Sequence, residues 1–69
     1  MPLSMAKLGE DVVISRIGGK DEIKRFLETL GFVVGSVVSV VNEQSGNLIV
    51  NVKGARVAIS REMANKIYI

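Results

Sequence analysis

The 69-residue chain has no cysteine, no histidine and no tryptophan, a single proline, and two phenylalanines and one tyrosine as its only aromatic rings. Without cysteine, neither a disulfide framework nor a thiolate metal site can staple so small a fold, so apolar packing has to hold it together. Without histidine or cysteine, no nucleophile and base pair of the Ser-His or Cys-His type can be assembled; an enzyme would have to use lysine or carboxylate chemistry, and none is expected. The lack of cysteine also fits a reducing compartment, and Met1 to Lys7 lacks the apolar run of a secretory signal. The expected location is the cytoplasm. The longest uncharged run, Thr29 to Asn42, has 14 residues broken by two glycines and two serines, against the roughly 20 needed to span a bilayer. No membrane insertion is expected.

Charge of neither sign dominates. Nine basic and seven acidic residues leave a net +2, and the basic residues are scattered, Lys24-Arg25 being the one adjacent pair. That argues against a polyanion as the main partner. Phe26 and Phe32 read as core residues, which leaves Tyr68 as the one candidate stacking platform for single-stranded nucleic acid, so no nucleic-acid partner is expected. The carboxylates are spread as Glu10, Asp11, Asp21, Glu22, Glu28, Glu43 and Glu62, with no cluster at the spacing of a metal loop. Glu10 with Asp11, or Asp21 with Glu22, could hold a hard cation weakly; no cofactor is expected. Gly18-Gly19-Lys20 lacks the flanks of a phosphate loop and reads as a turn.

What the chain does have is apolar residues, at 48%. They form one domain with a minimal core, since a chain of this size buries only about 60% of its unfolded surface. The organising stretch is Leu30-Gly31-Phe32-Val33-Val34-Gly35-Ser36. Gly31 suits the left-handed residue that ends a helix, with Phe32 folding back onto Leu27, and Gly35-Ser36 turns the chain into the next strand. Before it, Ile23, Phe26, Leu27 and Leu30 fall on one face of a helix over about 20–31, with Asp21 and Glu22 near its start and Asp21 able to pair with Lys24 or Arg25.

At the start of the chain, Leu3, Met5 and Leu8 read as anchors, Ser4 as the cap of one helical turn and Gly9-Glu10 as a turn out of it. A strand is expected from about Asp11 to Ile17, one face meeting the helix and the other the barrel interior. Val37 to Glu43 and Asn47 to Lys53 form a hairpin around Gln44-Ser45-Gly46, and Gly54-Ala55 reads as a type II′ turn into Arg56 to Ile59. Leu48, Val50 and Val52 share one face of their strand and Ile49 falls among the polar set. Val38 and Val40 share a face with Ser36, with Val37, Ser39 and Val41 opposite. Ser60 caps a last helical turn, Arg61 to Lys66, with Met63, Ala64 and Ile67 inward and Tyr68-Ile69 as a closing strand. Five short strands of this kind close most naturally into an SH3-like barrel, mostly β, with one inserted helix and a short helical turn near the C-terminus.

Three pieces of this pattern together resemble the ferrous iron transport protein A (FeoA) family, small cytoplasmic SH3-like proteins and domains. They are the helix end Leu27-Glu28-Thr29-Leu30-Gly31-Phe32 continuing to Gly35, the strand Asn47 to Lys53 with Gly54, and Arg56-Val57-Ala58-Ile59 followed by Glu62-Met63-Ala64 and Ile67. One departure is Val34, where the family usually has proline before the second glycine. The family also resembles the C-terminal barrel of iron-dependent repressors, but no DNA-binding helix pair precedes the barrel here, so a whole repressor is not expected.

The resemblance implies an accessory protein that binds a membrane ferrous iron transporter bearing a GTPase domain (FeoB-like), and, at the level of the family, transition-metal ion binding. Val33, Val34, Val37 and Ile49 are the apolar residues least used by the core pattern and form the expected docking patch; scattered surface valine is the plain alternative. Arg56, read at a turn tip, would be placed to act as an arginine finger on the partner's GTPase. A barrel that binds peptide or nucleic acid unrelated to iron, and a self-associating module or homo-oligomer, are the alternatives.

Overall fold

The computed structural model describes all 69 residues, Met1 to Ile69. In chain order it has a single 3-10 turn at Leu3–Met5, strands β1 (Asp11–Val13) and β2 (Arg16–Ile17), and helix α1 (Asp21–Thr29). Strands β3 (Val37–Gln44), β4 (Asn47–Val52) and β5 (Ala55–Ser60) follow, then a short helix α2 (Arg61–Ala64) and strand β6 (Ile67–Tyr68). Four strands form an antiparallel sheet in the order β1-β3-β4-β5, and β2 pairs with β6 in a second, two-stranded sheet. The architecture is a small, mostly β barrel with the helix inserted after its second strand, as the alternation and turn spacing predict.

The expected first strand is two strands. Asp11, Val12 and Val13 pair with β3, while Arg16 and Ile17 pair with β6. Between them the chain bends: the Ile14 N–H donates to Ser36 O and the Ser15 N–H to Tyr68 O, so consecutive residues serve different sheets. Ile14 is buried in the core and Val13 is exposed. The outer face of this segment therefore looks into solvent, and the barrel interior lies on the other side.

Helix α1 ends as Gly31 requires. Gly31 has φ +100°, its N–H donates to Glu28 O at 2.9 Å, and the Phe32 N–H donates to Leu27 O at 3.0 Å. This pair of bonds is a Schellman cap, with the glycine at the one position that needs a left-handed backbone. Leu27 and Phe32 are both fully buried.

Phe26 does not join them. It is 49% exposed, and the helix roll explains why. At about 100° per residue, with Leu27 at the centre of the buried face, Ile23 sits about 40° away, Lys24 and Leu30 about 60° to either side, and Phe26 about 100° away. Ile23, Lys24 and Leu30 are half-buried, in keeping with that roll. No ion pair forms on the helix. The one in the molecule joins Arg61 to Glu43, at the start of α2 and the end of β3.

Both hairpins close with the same turn. Ser45 and Gly46 have φ +51° and +80°, and Lys53 and Gly54 have φ +50° and +77°. Two central residues with positive φ make type I′ turns, whose twist matches that of the strands. The second turn is therefore Lys53-Gly54 and not a type II′ turn at Gly54-Ala55: Val52 pairs with Ala55, which leaves only Lys53 and Gly54 to turn. A bulge at Val41 shifts the β3 register between Val40 and Asn42.

The core joins Leu3 from the first turn to Leu27, Phe32, Val50, Val52 and Ile67. Met5 and Leu8 are exposed, so of the three expected anchors only Leu3 is buried, and Ala6 packs beside it against the core. Ser4 does not cap its turn; its hydroxyl donates to Asn65 Oδ1 and ties that turn to the end of α2. Ser60 does cap α2, its Oγ accepting the Met63 N–H at 3.2 Å. No helix is long and apolar enough to cross a membrane.

Candidate interaction surface

Strand parity decides what the four-stranded sheet shows to solvent, because successive side chains point to opposite faces. Inward go Val38, Val40, Leu48, Val50, Val52 and Ile59, all buried. On the outer face, a polar row runs across all four strands in register: Asp11 opposite Ser39, Ser39 opposite Asn51, Asn51 opposite Arg56. Ser39, in the middle of that row, is buried by its neighbours.

On one side of the row stands an apolar cluster. Val13 of β1 and Val37 of β3 are direct cross-strand partners, 53% and 55% exposed. Val34 comes to the same corner through a turn. The Gly35 N–H donates to Ile14 O at 2.8 Å and the Ser36 N–H to Val33 O at 3.0 Å, and Gly35 has φ +90°. This is a type II turn with Val34 at its second position, the place where proline is favoured. The turn forms with valine there, and it leaves Val34 63% exposed.

The expected patch is thus divided by the fold. Val34 and Val37 stand at the exposed corner, and Val33 at the start of the turn is half-buried. Ile49, also half-buried, lies four residues along β4 from the position opposite Val37, roughly 13 Å away, beyond the polar row. Val13 is the residue that sequence reasoning missed. Its signal was its parity with the charged Asp11, which places it on the solvent face.

Arg56 is exposed, but it lies in β5 opposite Asn51 and not at a turn tip, because the turn falls one residue earlier than expected. Of the signature residues, Leu27, Gly31 and Phe32 build the helix end, half-buried Leu30 is the C-cap that follows Thr29, and Gly35 and Gly54 serve the two turns described above.

The carboxylate pairs Glu10-Asp11 and Asp21-Glu22 are exposed. No three metal-ligating side chains come together, and the surface has no cavity. What the valine corner can do is be covered. Burying the exposed half of each side chain would contribute roughly 1 kcal/mol.

The FeoA domain family matches residues 1–69, the whole chain. The chain belongs to the FeoA family. A Methanocaldococcus jannaschii protein provisionally named Fe(2+) transport protein A is 35% identical over 68 residues, covering 99% of this chain and 83% of its own length. The crystal structure of an iron uptake regulatory protein, FeoA, superposes with a TM-score of 0.89 at 25% identity, covering 97% of this chain and 91% of that one. FeoA of Stenotrophomonas maltophilia in complex with zinc superposes with a TM-score of 0.83 at 30% identity, over 97% and 86%. That protein is described as a procaryotic SH3 domain protein and advanced as a candidate activating factor of ferrous iron transport. The SH3-like fold of this FeoA chain is the fold its barrel order and hairpins build.

Proposed function

We propose that this FeoA chain is a cytoplasmic accessory protein of ferrous iron uptake that acts by binding a membrane ferrous iron transporter bearing a GTPase domain, with no catalysis of its own. The family membership and the names of its relatives support the iron-transport setting. The observation that carries the binding mode is the corner of Val13, Val34 and Val37, three exposed apolar side chains that the β1–β3 register and the Gly35 turn bring to one place. An exposed apolar patch is a usual mark of a protein-binding surface.

The test is capture of partners from detergent-solubilised membranes of the source cell with the tagged, folded chain. Recovery of a GTPase-bearing iron transporter is the expected result. Recovery of soluble proteins or nucleic acid alone would overturn the reading.

A further inference from the structure

The outer face of the four-stranded sheet carries its charges unevenly. Asp11, on β1, stands at one end of the polar row, and Arg56, on β5, at the other. Three strand spacings separate them, about 14 Å, too far for a pair.

Lys53 belongs to the Arg56 side. Because Val38 pairs with Val52, the next residue, Lys53, comes beside Val37 across the sheet. Its stem leans over the end of α1: a Cβ on Gly31 would lie 3.5 Å from Lys53 Cδ. Gly31 leads into the turn that carries Val34, so the Lys53 side chain stands at the margin of the valine corner. Lys53 and Arg56 are both exposed. Neither has a carboxylate partner, Glu28 in the last turn of α1 included, because the one ion pair of the molecule joins Arg61 to Glu43. Arg16, beyond the bend from Val13, is engaged by the Tyr68 ring, with its guanidinium carbon 4.3 Å from the ring centroid.

We propose that the transporter surface covering the valine corner has an apolar centre, which meets Val13, Val34 and Val37, and carboxylates on one side, which meet Lys53 and Arg56. This rests on the transporter-binding reading and names the chemistry of the surface that reading requires. Apolar contact is non-directional, so the valines supply contact area without fixing how the partner lies. The charges supply the direction. Over β4 and β5 the carboxylates give each free cation a partner; over β1 they would meet Asp11, and like charges brought together suppress that arrangement. The same two cations draw an acidic surface in before the valines touch it.

The test is the rate at which the folded chain associates with the purified transporter in a non-ionic detergent, with salt raised from about 0.05 to 1 M. Lys53→Asn removes one charge and keeps a residue that tolerates the turn's positive φ; Arg56→Gln removes the other from an exposed strand position. Each should slow association about threefold at low salt, and Asp11→Asn should speed it by a similar factor. The differences should close in 1 M salt. Lys20→Gln removes an exposed cation at the opposite end of α1 from Gly31 and controls for net charge. It should leave the rate at the wild-type value.

Slowing by Lys20→Gln equal to that of Lys53→Asn and Arg56→Gln would overturn the proposal, since net charge and not placement would then govern association. So would slowing by Asp11→Asn. If Val13→Thr with Val37→Thr weakened binding while none of the charge variants changed the rate, the acidic side would be overturned and the valine corner would stand. A wild-type chain that does not associate with the transporter at all would overturn both.

Discussion

Valine stands on both faces of the four-stranded sheet and meets opposite fates there. Val38, Val40, Val50 and Val52 are inside and fully packed; Val13 and Val37, cross-strand partners one residue out of phase with them, are more than half exposed. The side chains are identical, so hydrophobicity cannot be what separates them. Parity does. With a side-chain period of two, a one-residue step moves a valine from core to surface. The inner valines are accounted for by the core, and the outer pair, which the core does not use, is the pair on which the proposed docking surface rests.

The largest expected effect sets the two faces against each other. Val50→Asp buries a charge without a partner, at several kcal/mol, close to or beyond the roughly 3–5 kcal/mol that a core of this size supplies. Loss of the cooperative thermal transition by circular dichroism is expected. Val37→Asp adds the same charge to the outer face and should cost about 1 kcal/mol, through the lost valine pair with Val13 and the poor strand propensity of Asp. Equal losses would break the comparison.

A smaller effect is expected at the helix end. Gly31→Ala puts a side chain at φ +100° with its Cβ 3.2 Å from Val52 Cγ2, so left-handed strain of about 1–2 kcal/mol adds to crowding of an inner-face valine. The midpoint should fall by about 4–8 °C per kcal/mol.

The smallest concerns the second hairpin turn. Lys53→Asn replaces a residue at φ +50° by one that tolerates that region, and should raise the midpoint by a few degrees at most.

The helix, its Gly31 cap and the alternation of β4 were legible because each is written in local spacing: the i, i+3, i+4, i+7 stripe, a glycine after its last residue, and Leu48, Val50 and Val52 two apart. The features that escaped depend on partners distant in the chain. A continuous β-branched run from Asp11 to Ile17 does not show that Ser15 will bond to Tyr68 and break it in two. A helical stripe gives the apolar face but not its roll, so Phe26 was placed in the core when Leu27 takes the centre.

The Lys53-Gly54 turn is set by the pairing of Val52 with Ala55, and moving it by one residue carries Arg56 off the turn tip. At the candidate site, Val34 and Val37 were legible as apolar residues unused by the core. Their separation from Ile49 and their company with Val13 follow from the register of β1 on β3, which spacing along the chain does not contain.

The most direct test of the account is the affinity of the folded chain for the purified, detergent-solubilised transporter, comparing wild type with the Val13→Thr, Val37→Thr double variant. Both substitutions keep a β-branched side chain on the outer face and set no like charges opposite each other, so thermal midpoints close to the wild-type value are expected as the control. Two half-exposed valines removed from an interface, each worth roughly 1 kcal/mol, should weaken binding by about tenfold or more. Unchanged affinity in a folded double variant would contradict the account and return the outer valines to the scattered apolar residues of an ordinary surface.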